Sequence, residues 1–428
     1  MAANTSVLAR CWRRTWALLP ELNFCSAPDN RHVFEVLAVP EAPALRRIHV
    51  VTTDDAPVSV AAWLPLAAWR LSGDLVYRNL VEGHEEEEGT IALPCFGNAT
   101  GIDLNLGFSA VSLPSSGTFT RLTELSLERV RFQGTCELGD MVSSPRCPCL
   151  RTLRIRRARG MARLTLNIDA PVLNILALHS CFTRNQPQPI ANISVPQLIA
   201  LIWMDAYDPS CVHLGSLGQL QQLSPNVIVV YGNHHSGRNR EVLWLLQHFQ
   251  VIHRLNIVLS YPPVGLRSFF SAIYTVKDDK GNFQYLMQDV TYLPRVTFLA
   301  LYVMNEGHAF GARSCHVLRL CTVIRKLSMV LLTCRNFEAQ STCPSGCICD
   351  QPTNWKIEKL SLNCLQEVEI TGLKGADHEV AFLERLFNWA GVLKKLRITF
   401  DHTVSKSKAK ELCQRLSSIA RPETLMEF

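Results

Sequence analysis

The chain has 428 residues, of which 47% are hydrophobic and 19% are charged, and its formal net charge is +6. This composition is typical of a folded globular protein and excludes an intrinsically disordered chain. Dedicated nucleic-acid binders concentrate far more positive charge on one face, so the composition does not favour that class. The apolar runs are of strand length, well short of the roughly 18 residues of a membrane-spanning helix, and we expect no membrane partner.

The 16 cysteines are scattered, and most of them stand beside apolar strand patterns. In such positions a free cysteine acts as a small buried hydrophobic residue. A secreted disulfide framework would be shorter and more regularly spaced. We therefore expect a reducing compartment, the cytoplasm and/or the nucleus.

The first predicted element is a short helix within residues 1–24, in the stretch TSVLARCWRRTWALLPELNF. A mitochondrial transit peptide is a second interpretation, because such peptides are also amphipathic, rich in arginine and poor in acidic residues. Large apolar side chains recur at steps of four, four and three residues and therefore share one helix face. These side chains are Leu8, Trp12, Trp16 and Leu19.

Residues 25–114 carry less regular patterns, which we interpret as divergent repeats and an acidic loop. The stretch 82–90, EGHEEEEGT, predicts a solvated acidic loop. The stretch 97–114, GNATGIDLNLGFSAVSLP, is rich in glycine and alternates in polarity, so it predicts turns and short strands.

From residue 115 onward one six-residue pattern recurs: an apolar residue, two variable residues, an apolar residue, a variable residue and an apolar residue. The step from Leu150 to Leu173 is 23 residues and the next step, to Leu198, is 25. Leucine-rich repeats have about 20–29 residues per unit. The copies are LTELSL from Leu122, LRTLRI from Leu150, LNILAL from Leu173, LIALIW from Leu198, IHRLNI from Ile252, VTFLAL from Val296, IRKLSM from Ile324, IEKLSL from Ile357, LQEVEI from Leu365 and LKKLRI from Leu393.

The pattern predicts an α/β leucine-rich-repeat solenoid: a curved sheet of short parallel strands, with helices and loops on the convex side. A single unit cannot bury its own apolar face, so the units must stack. The segments VLWLLQHFQ, HEVAFLERLFNWAGVLKKL and KAKELCQRLSSIA predict amphipathic helices between or after the strands. An ordinary mixed α/β domain is the alternative, which the number of copies disfavours.

The variable positions of each copy should face the concave side of the sheet, where a protein ligand would bind. Most of these side chains are basic, two are aromatic, and acidic patches occur at Glu124 with Glu128 and at Glu367 with Glu369. We hypothesise a ligand with an acidic or phosphorylated segment; ordinary solvated side chains are the alternative. The candidate residues are Arg154, Arg156, His179, Met204, Arg254, Phe298, Tyr302, Lys326, Lys359, Lys395 and Arg397.

Seven arginines lie between Arg146 and Arg163, in RCPCLRTLRIRRARGMAR. Such a cluster could neutralise several phosphates of a nucleic acid. Strand alternation, however, sends arginines to different faces, and no aromatic residues are interleaved as stacking platforms. The cluster therefore does not favour nucleic acid as a partner.

The segment CPSGCICD contains Cys343, Cys347 and Cys349 but lacks the paired spacing and the fourth ligand of a zinc site. We interpret it as a structural loop that leads into a strand from Ile357, with Trp355 packed beneath the loop.

The sequence contains no pattern that indicates catalysis. His378-Glu379 lacks the second histidine of a zinc-protease motif, because Phe382 occupies that position. Nucleophile-elbow, phosphate-loop and dinucleotide-binding motifs are also missing. We expect a non-catalytic protein with no metal and no cofactor.

The motifs resemble those of plant F-box/leucine-rich-repeat proteins with an FBD region. LTELSL and the phrase APVLNILAL resemble the repeats of that family, and CDQPTNW, LQEVEITG, GADHEVAFL and LKKL resemble its FBD region. TSVLARCWRRTWALLPELNF resembles the second half of an F-box, without the first helix and with Cys11 where the family usually has arginine.

The resemblance implies four parts and a function. The parts are a partial F-box at 1–24, divergent repeats at 25–114, leucine-rich repeats at 115–340 and an FBD-type module at 341–428. The implied function is that of the non-catalytic substrate-recognition subunit of an SCF-type ubiquitin ligase, with a Skp-type adaptor, a cullin complex and an unknown protein substrate as partners. The adaptor would contact the helix face of Leu8, Trp12, Trp16 and Leu19.

Two alternatives remain open at this point. A truncated leucine-rich-repeat interaction protein would bind the substrate but not the adaptor. By analogy with some related receptors, the cluster from Arg146 to Arg163 could also bind an inositol phosphate or a nucleic acid.

Overall fold

The computed structural model describes residues 19–25, 30–38, 44–53, 57–80, 89–133, 137–143, 145–161, 163–167, 173–182, 190–232, 238–261, 284–304, 307–332 and 348–428. Some residues discussed above lie outside these ranges, namely Leu8, Trp12, Trp16, Cys343, Cys347 and most of the acidic stretch 82–90. The proposed F-box helix face is therefore described only at Leu19, which is 42% exposed.

The chain divides into two compact units. The N-terminal unit comprises Met1–Asp205 and Pro209–Leu220, and the C-terminal unit comprises Ala206–Asp208 and Gln221–Phe428. Each unit contains a sheet of parallel strands, so the expected α/β repeat architecture is confirmed.

The N-terminal unit has a main sheet in which every neighbouring pair is parallel, in the order β1-β2-β3-β5-β7-β9-β11-β13. The helices of this unit are α1 (Asn30–Leu37), α2 (Pro57–Arg70) and α3 (Leu138–Met141). Its strands are β1 (Glu21–Phe24), β2 (Leu45–Thr52), β3 (Leu71–Asn79), β4 (Thr90–Ala92), β5 (Gly101–Asn105), β6 (Ala110–Ser112), β7 (Glu124–Glu128), β8 (Arg131–Gln133), β9 (Thr152–Arg156), β10 (Arg163–Asn167), β11 (Ile175–His179), β12 (Ile190–Ser194), β13 (Ala200–Met204) and β14 (Val212–Leu214).

The strand register in this unit places apolar residues of neighbouring strands opposite each other. Leu125 of β7 lies opposite Leu153 of β9, which lies opposite Leu176 of β11. These leucines are at most 1% exposed. The repeated pattern therefore forms buried ladders that run across the strands, and fully burying each leucine contributes roughly 1.5–3 kcal/mol.

Short strands form part of the outer layer of the N-terminal unit, where we expected helices and loops. The strands β4, β6 and β8 form one parallel sheet, and β10, β12 and β14 form another. Each repeat thus turns from a main-sheet strand into a second, short strand. Arg129, Arg157 and Ser180 make these turns with left-handed backbone, at φ of 47°, 51° and 53°.

The C-terminal unit has a parallel sheet in the order β15-β18-β20-β21-β22-β23-β24, with β16 also paired to β18. Its helices are α4 (Arg238–Gln247), α5 (Gly311–Leu320), α6 (Asp377–Trp389) and α7 (Lys406–Ile419). Its strands are β15 (Gln222–Ser224), β16 (Ile228–Val229), β17 (Tyr231–Gly232), β18 (Val251–Ser260), β19 (Gln284–Tyr285), β20 (Arg295–Met304), β21 (Lys326–Leu332), β22 (Glu367–Leu373), β23 (Lys395–Phe400) and β24 (Leu425–Glu427).

Helices α4, α6 and α7 overlap the predicted segments, whereas α5 was not predicted. Helix α6 buries Val380, Leu383 and Leu386, and α7 buries Leu412 and Leu416, as their periodicity predicts. The buried carboxylate of Glu379 accepts three backbone N–H groups from residues 374–376, which caps the start of α6.

One predicted strand is wrong. IEKLSL, from Ile357, forms no strand, and Ile357 is 81% exposed. A short 3₁₀ helix, Thr353–Lys356, precedes it, and Trp355 in that helix is 1% exposed. Trp355 is therefore buried, but most of the loop beneath which we expected it to pack lies outside the described residues. The chain reaches the sheet only at Glu367.

Asn239, at the start of α4, joins three elements of the C-terminal unit. Its Oδ1 accepts the N–H of Val229 at 2.9 Å, and its Nδ2 donates to the carbonyls of Val229 at 2.8 Å and Leu286 at 3.0 Å. Asn239 is 3% exposed, so these backbone groups have no ready replacement partner in water.

Replacing Asn239 by alanine should lower the free energy of unfolding by about 2–4 kcal/mol, because buried backbone groups lose their partners. Urea denaturation followed by circular dichroism measures this change. Arg240→Ala, at the exposed next position, is the matched control and should have little effect. Equal stability of the two variants would contradict this role for Asn239.

Candidate functional site

A groove of about 430 Å³ lies on the solvent-facing side of the main sheet of the N-terminal unit. It crosses β2, β3, β5, β7 and β9, and arginines and carboxylates from these strands line it together. The charged lining residues are Arg47, Asp74, Arg78, Asp103, Glu124, Glu128, Arg154 and Arg156.

Strand alternation places these charges in the groove. In β9, Leu153 and Ile155 are fully buried, and the side chains of Arg154 and Arg156 point to the opposite, solvent-facing side. Parallel pairing then sets Arg154 beside Ser126 and Arg156 beside Glu128. The buried repeat pattern thus fixes where each polar side chain stands.

Two ion pairs neutralise part of the lining. Arg78 donates to Asp103 through two N–H groups, one of them at 2.7 Å, and this hydrogen bonding raises the pKa of Arg78. Arg154 and Glu124 approach to 3.4 Å, with the glutamate side chain 63% exposed. An exposed pair such as Arg154–Glu124 contributes roughly 0–1 kcal/mol, so a ligand could displace it at small cost.

Two arginines of the groove remain available to a ligand. Arg47 and Arg156 are exposed, and neither forms a salt bridge within the part of the chain that the structure describes. Each can therefore offer its planar N–H fork to a carboxylate or a phosphate. The groove combines such open cations with paired charges, and it includes the acidic residues Glu124 and Glu128.

His179 and Met204 extend this face beyond the groove. Parallel pairing places His179 of β11 beside Arg156 on one side and Met204 of β13 on the other. Burial, reinforced by Arg157 and Arg156, lowers the pKa of His179 to about 4. This imidazole is therefore neutral at physiological pH.

In the C-terminal unit, three predicted residues meet around one ring. The Cζ of Arg254 lies 4.4 Å from the ring centroid of Phe298, and the Nζ of Lys326 lies 5.4 Å from it. Lys326 also approaches Glu367 of β22 at 3.4 Å. Cation–π contacts of this kind hold both cations on the solvent-facing side of the sheet.

The last strands of this sheet carry the remaining predicted residues. Lys395 and Arg397 approach Glu427 of β24 at 2.7 and 2.9 Å, and Arg397 lies 3.9 Å from Glu369. These two cations lower the pKa of Glu427. Tyr302 is half-buried on β20.

Of the residues predicted for the concave face, Lys359 is the one that the structure places off the sheet. It is exposed in the irregular segment between Trp355 and β22. IEKLSL matches the repeat pattern but forms no strand. In this segment Leu362 and Leu365 are buried in the core.

The arginine cluster is dispersed over several surfaces. Arg146 donates to the carbonyls of Pro114, Ser116 and Gly117 at 2.9–3.0 Å and so fastens the preceding loop. The Cζ of Arg159 lies 4.2 Å from the centroid of the Phe108 ring. The cluster therefore does not form one patch that could track a phosphate backbone.

Within the described residues, no group of three or more histidine, cysteine, aspartate or glutamate side chains is arranged to hold a metal ion. Cys349 is buried, and Cys364 is half-buried. Nor is any described helix long and apolar enough to cross a membrane.

Stacked parallel strands at repeat spacing, with a polar face on one side, define the class of this protein: a leucine-rich-repeat solenoid-like fold. Its sequence is similar to two Arabidopsis thaliana F-box/FBD/LRR-repeat proteins. The chain is 27% identical to At2g04230 over 197 residues, which are 41% of this chain and 42% of that protein. It is 27% identical to At3g52680 over 188 residues, 41% of this chain and 40% of that protein.

These matches confirm the resemblance to F-box/leucine-rich-repeat proteins with an FBD region over about two fifths of the chain. The aligned region spans less than half the length of each relative. No family model matches the chain.

The sequence interpretation missed one side of the groove. Arg47, Asp74, Arg78 and Asp103 lie in the region read as divergent repeats. The alternation in DLVYRN and GIDLNL is the signal that could have found them, because it places Leu75, Tyr77, Ile102 and Leu104 in the core.

The depressed pKa of His179 makes stability sensitive to acid. The unfolded chain binds a proton near pH 6.5, whereas the folded chain resists it until about pH 4. This contribution to stability is thus complete above pH 6.5 and is lost as the pH falls towards 4.

The unfolding free energy should decline between pH 6.5 and pH 4. Replacing His179 by glutamine should reduce the slope of that decline by up to about the amount that the uptake of one proton on unfolding produces. Urea titrations at half-unit pH steps measure that slope. His248→Gln, at an exposed position in the C-terminal unit, is the control. A slope for His179→Gln equal to that of the unmodified chain would show that burial does not suppress its protonation.

Proposed function

We propose that this chain is the substrate-recognition subunit of an SCF-type ubiquitin ligase and performs no bond chemistry itself. Such a subunit raises the effective concentration of target lysines near the ubiquitin-loaded enzyme. The observation that carries the proposal is the polar groove on the solvent-facing side of the repeat sheet. The names of the two similar proteins, which include F-box, support the link to a ligase.

The groove suits a protein segment better than a small substrate. It crosses five neighbouring strands, so an extended peptide could contact side chains from several repeats at once. Most of the surface that lines the groove is polar, and its charges form a defined pattern. Such charge patterns contribute more to binding specificity than to affinity.

We assign the recognition of acidic or phosphorylated side chains to Arg154 and Arg156. Arg156 is exposed and Arg154 holds only a long ion pair to Glu124, so both guanidinium groups can turn to a ligand. Residence in the cytoplasm and/or the nucleus is part of the same proposal.

Replacing both Arg154 and Arg156 by glutamate should weaken binding of an acidic segment at least about tenfold, because two attractive charges become repulsive. Peptides selected from a displayed random library on the unmodified chain provide the probes. Fluorescence anisotropy of those peptides then gives the dissociation constants.

The matched control is the double replacement of Arg121 and Arg163 by glutamate, which makes the same change in net charge outside the groove. Its affinities should stay within about twofold of the unmodified chain. Selected peptides without acidic enrichment, or equal losses in the two double variants, would place recognition elsewhere.

For the ligase side of the proposal, the helix face of Trp12 and Trp16 should bind a Skp-type adaptor. Replacing both by alanine should abolish capture of a purified plant adaptor, because a few large aromatic residues often contribute most of the binding energy of a protein interface. The measurement is a pull-down with the chain and with a version that carries a complete F-box hairpin.

The control for this experiment is alanine at Trp69 and Trp244, two tryptophans that are 76% and 39% exposed elsewhere in the fold. Capture should survive in that variant. If only the version with the complete hairpin is captured, this 428-residue chain recognises substrate without joining the ligase. If neither is captured, the ligase role is wrong and the groove remains a protein-binding site.

A further inference from the structure

The guanidinium group of Arg313 is buried in the C-terminal unit without a hydrogen-bond acceptor among the described residues. Arg313 lies in the first turn of α5 and is 1% exposed, and its Nε, Nη1 and Nη2 atoms all lack a partner there. Burying an unpaired cation is strongly unfavourable, so such a group normally has an anion beside it.

Aromatic residues surround this cation. The Cζ of Arg313 lies 5.6 Å from the ring centroid of Tyr261. The ring of Tyr231 lies 5.3 Å from that of Tyr261 and 5.5 Å from that of Tyr285. A single cation–π contact at this distance offsets only part of the desolvation cost.

The cation keeps its charge in this environment. Burial lowers the pKa of Arg313 to about 10, with the neighbouring tyrosines acting in the opposite direction. The group is therefore still protonated at neutral pH, and deprotonation does not relieve its lack of a partner.

The start of α5 has no negative charge of its own and adds one more unpartnered donor. No acidic residue lies in its first turn, and Phe310 at the N-cap provides no side-chain cap. The hydroxyl group of Ser314 is fully buried and also lacks a hydrogen-bond partner among the described residues. Helix N-termini carry partial positive charge, so Arg313 and this helix start favour an anion together.

The surroundings of Arg313 reach the surface through half-buried rings. Tyr261 and His308 stack at 4.3 Å with an interplanar angle of 17°, and both are half-buried, as is Tyr285. A small ligand could thus approach Arg313 by displacing these rings from the solvent side.

We propose that Arg313 and the first turn of α5 form a buried binding site for a small oxyanion of the phosphate class. The planar guanidinium fork matches two oxygens of such an anion, and the Ser314 hydroxyl can donate to it. This site lies in the C-terminal unit and does not depend on the groove or on the proposed ligase role.

Inorganic phosphate is the probe, tested on the full chain at constant ionic strength with chloride as the balancing anion. Specific binding should raise the melting temperature by about 3 °C or more and saturate at millimolar phosphate. Non-specific stabilisation by phosphate would instead rise steadily over hundreds of millimolar. Line broadening in ³¹P NMR reports binding without any variant.

Arg313→Met removes the cation while keeping an unbranched side chain of similar length. Its melting temperature without phosphate should equal or exceed that of the unmodified chain, and the saturable response to phosphate should disappear. Arg319→Met, on the same helix at a partly exposed position paired with Glu358, should keep the response.

Arg313→Lys serves if the methionine variant does not fold, because lysine keeps the charge but loses the fork. Its apparent affinity for phosphate should fall at least about tenfold. Absence of a saturable response and of ³¹P broadening in the unmodified chain would overturn the proposal. So would an unchanged response in either Arg313 variant.

Discussion

The parallel sheets of both units depend on the stacking of apolar side chains from one strand onto the next. Leu125, Leu153 and Leu176 illustrate it in the N-terminal unit, and Leu327, Val368 and Leu396 do so in the C-terminal unit. A single repeat cannot exclude water from its own leucines, so each depends on its neighbours. Because strand register is set by this burial, a shift of one residue would expose the whole ladder.

The same register controls the solvent-facing side. Once Leu153 and Ile155 are buried, Arg154 and Arg156 must face outward beside the polar residues of β7. Oppositely charged neighbours such as Arg78 and Asp103 then stabilise the sheet across strands. The outward side is therefore free to vary in chemistry without disturbing the core, which is how one architecture can serve many ligands.

The sequence pattern predicted the strands of the regular repeats. It failed where a segment matches the pattern without forming a strand and where the repeats are interrupted. The buried positions Leu150, Leu173 and Leu198 follow from spacing alone, because only apolar residues at that spacing can be buried together. IEKLSL has the same pattern of apolar and variable positions. Ile357 is nevertheless exposed, because the chain forms a 3₁₀ helix at Trp355 instead of a strand. Strand pairing sets which cation meets which anion, and a linear pattern does not show it.

Hydrogen-bond satisfaction separates structural polar residues from those available to a ligand. Asn239 and Glu379 are buried polar residues, yet backbone groups occupy their oxygens, so each serves the fold. Arg156 is exposed and solvated, and recognition there costs little desolvation. Arg313 fits neither class. It is buried, as Asn239 and Glu379 are, but its guanidinium group has no hydrogen-bond acceptor among the described residues. The cation–π contact with Tyr261 offsets only part of the cost of burying this cation, and a bound anion of the kind proposed above would offset the rest.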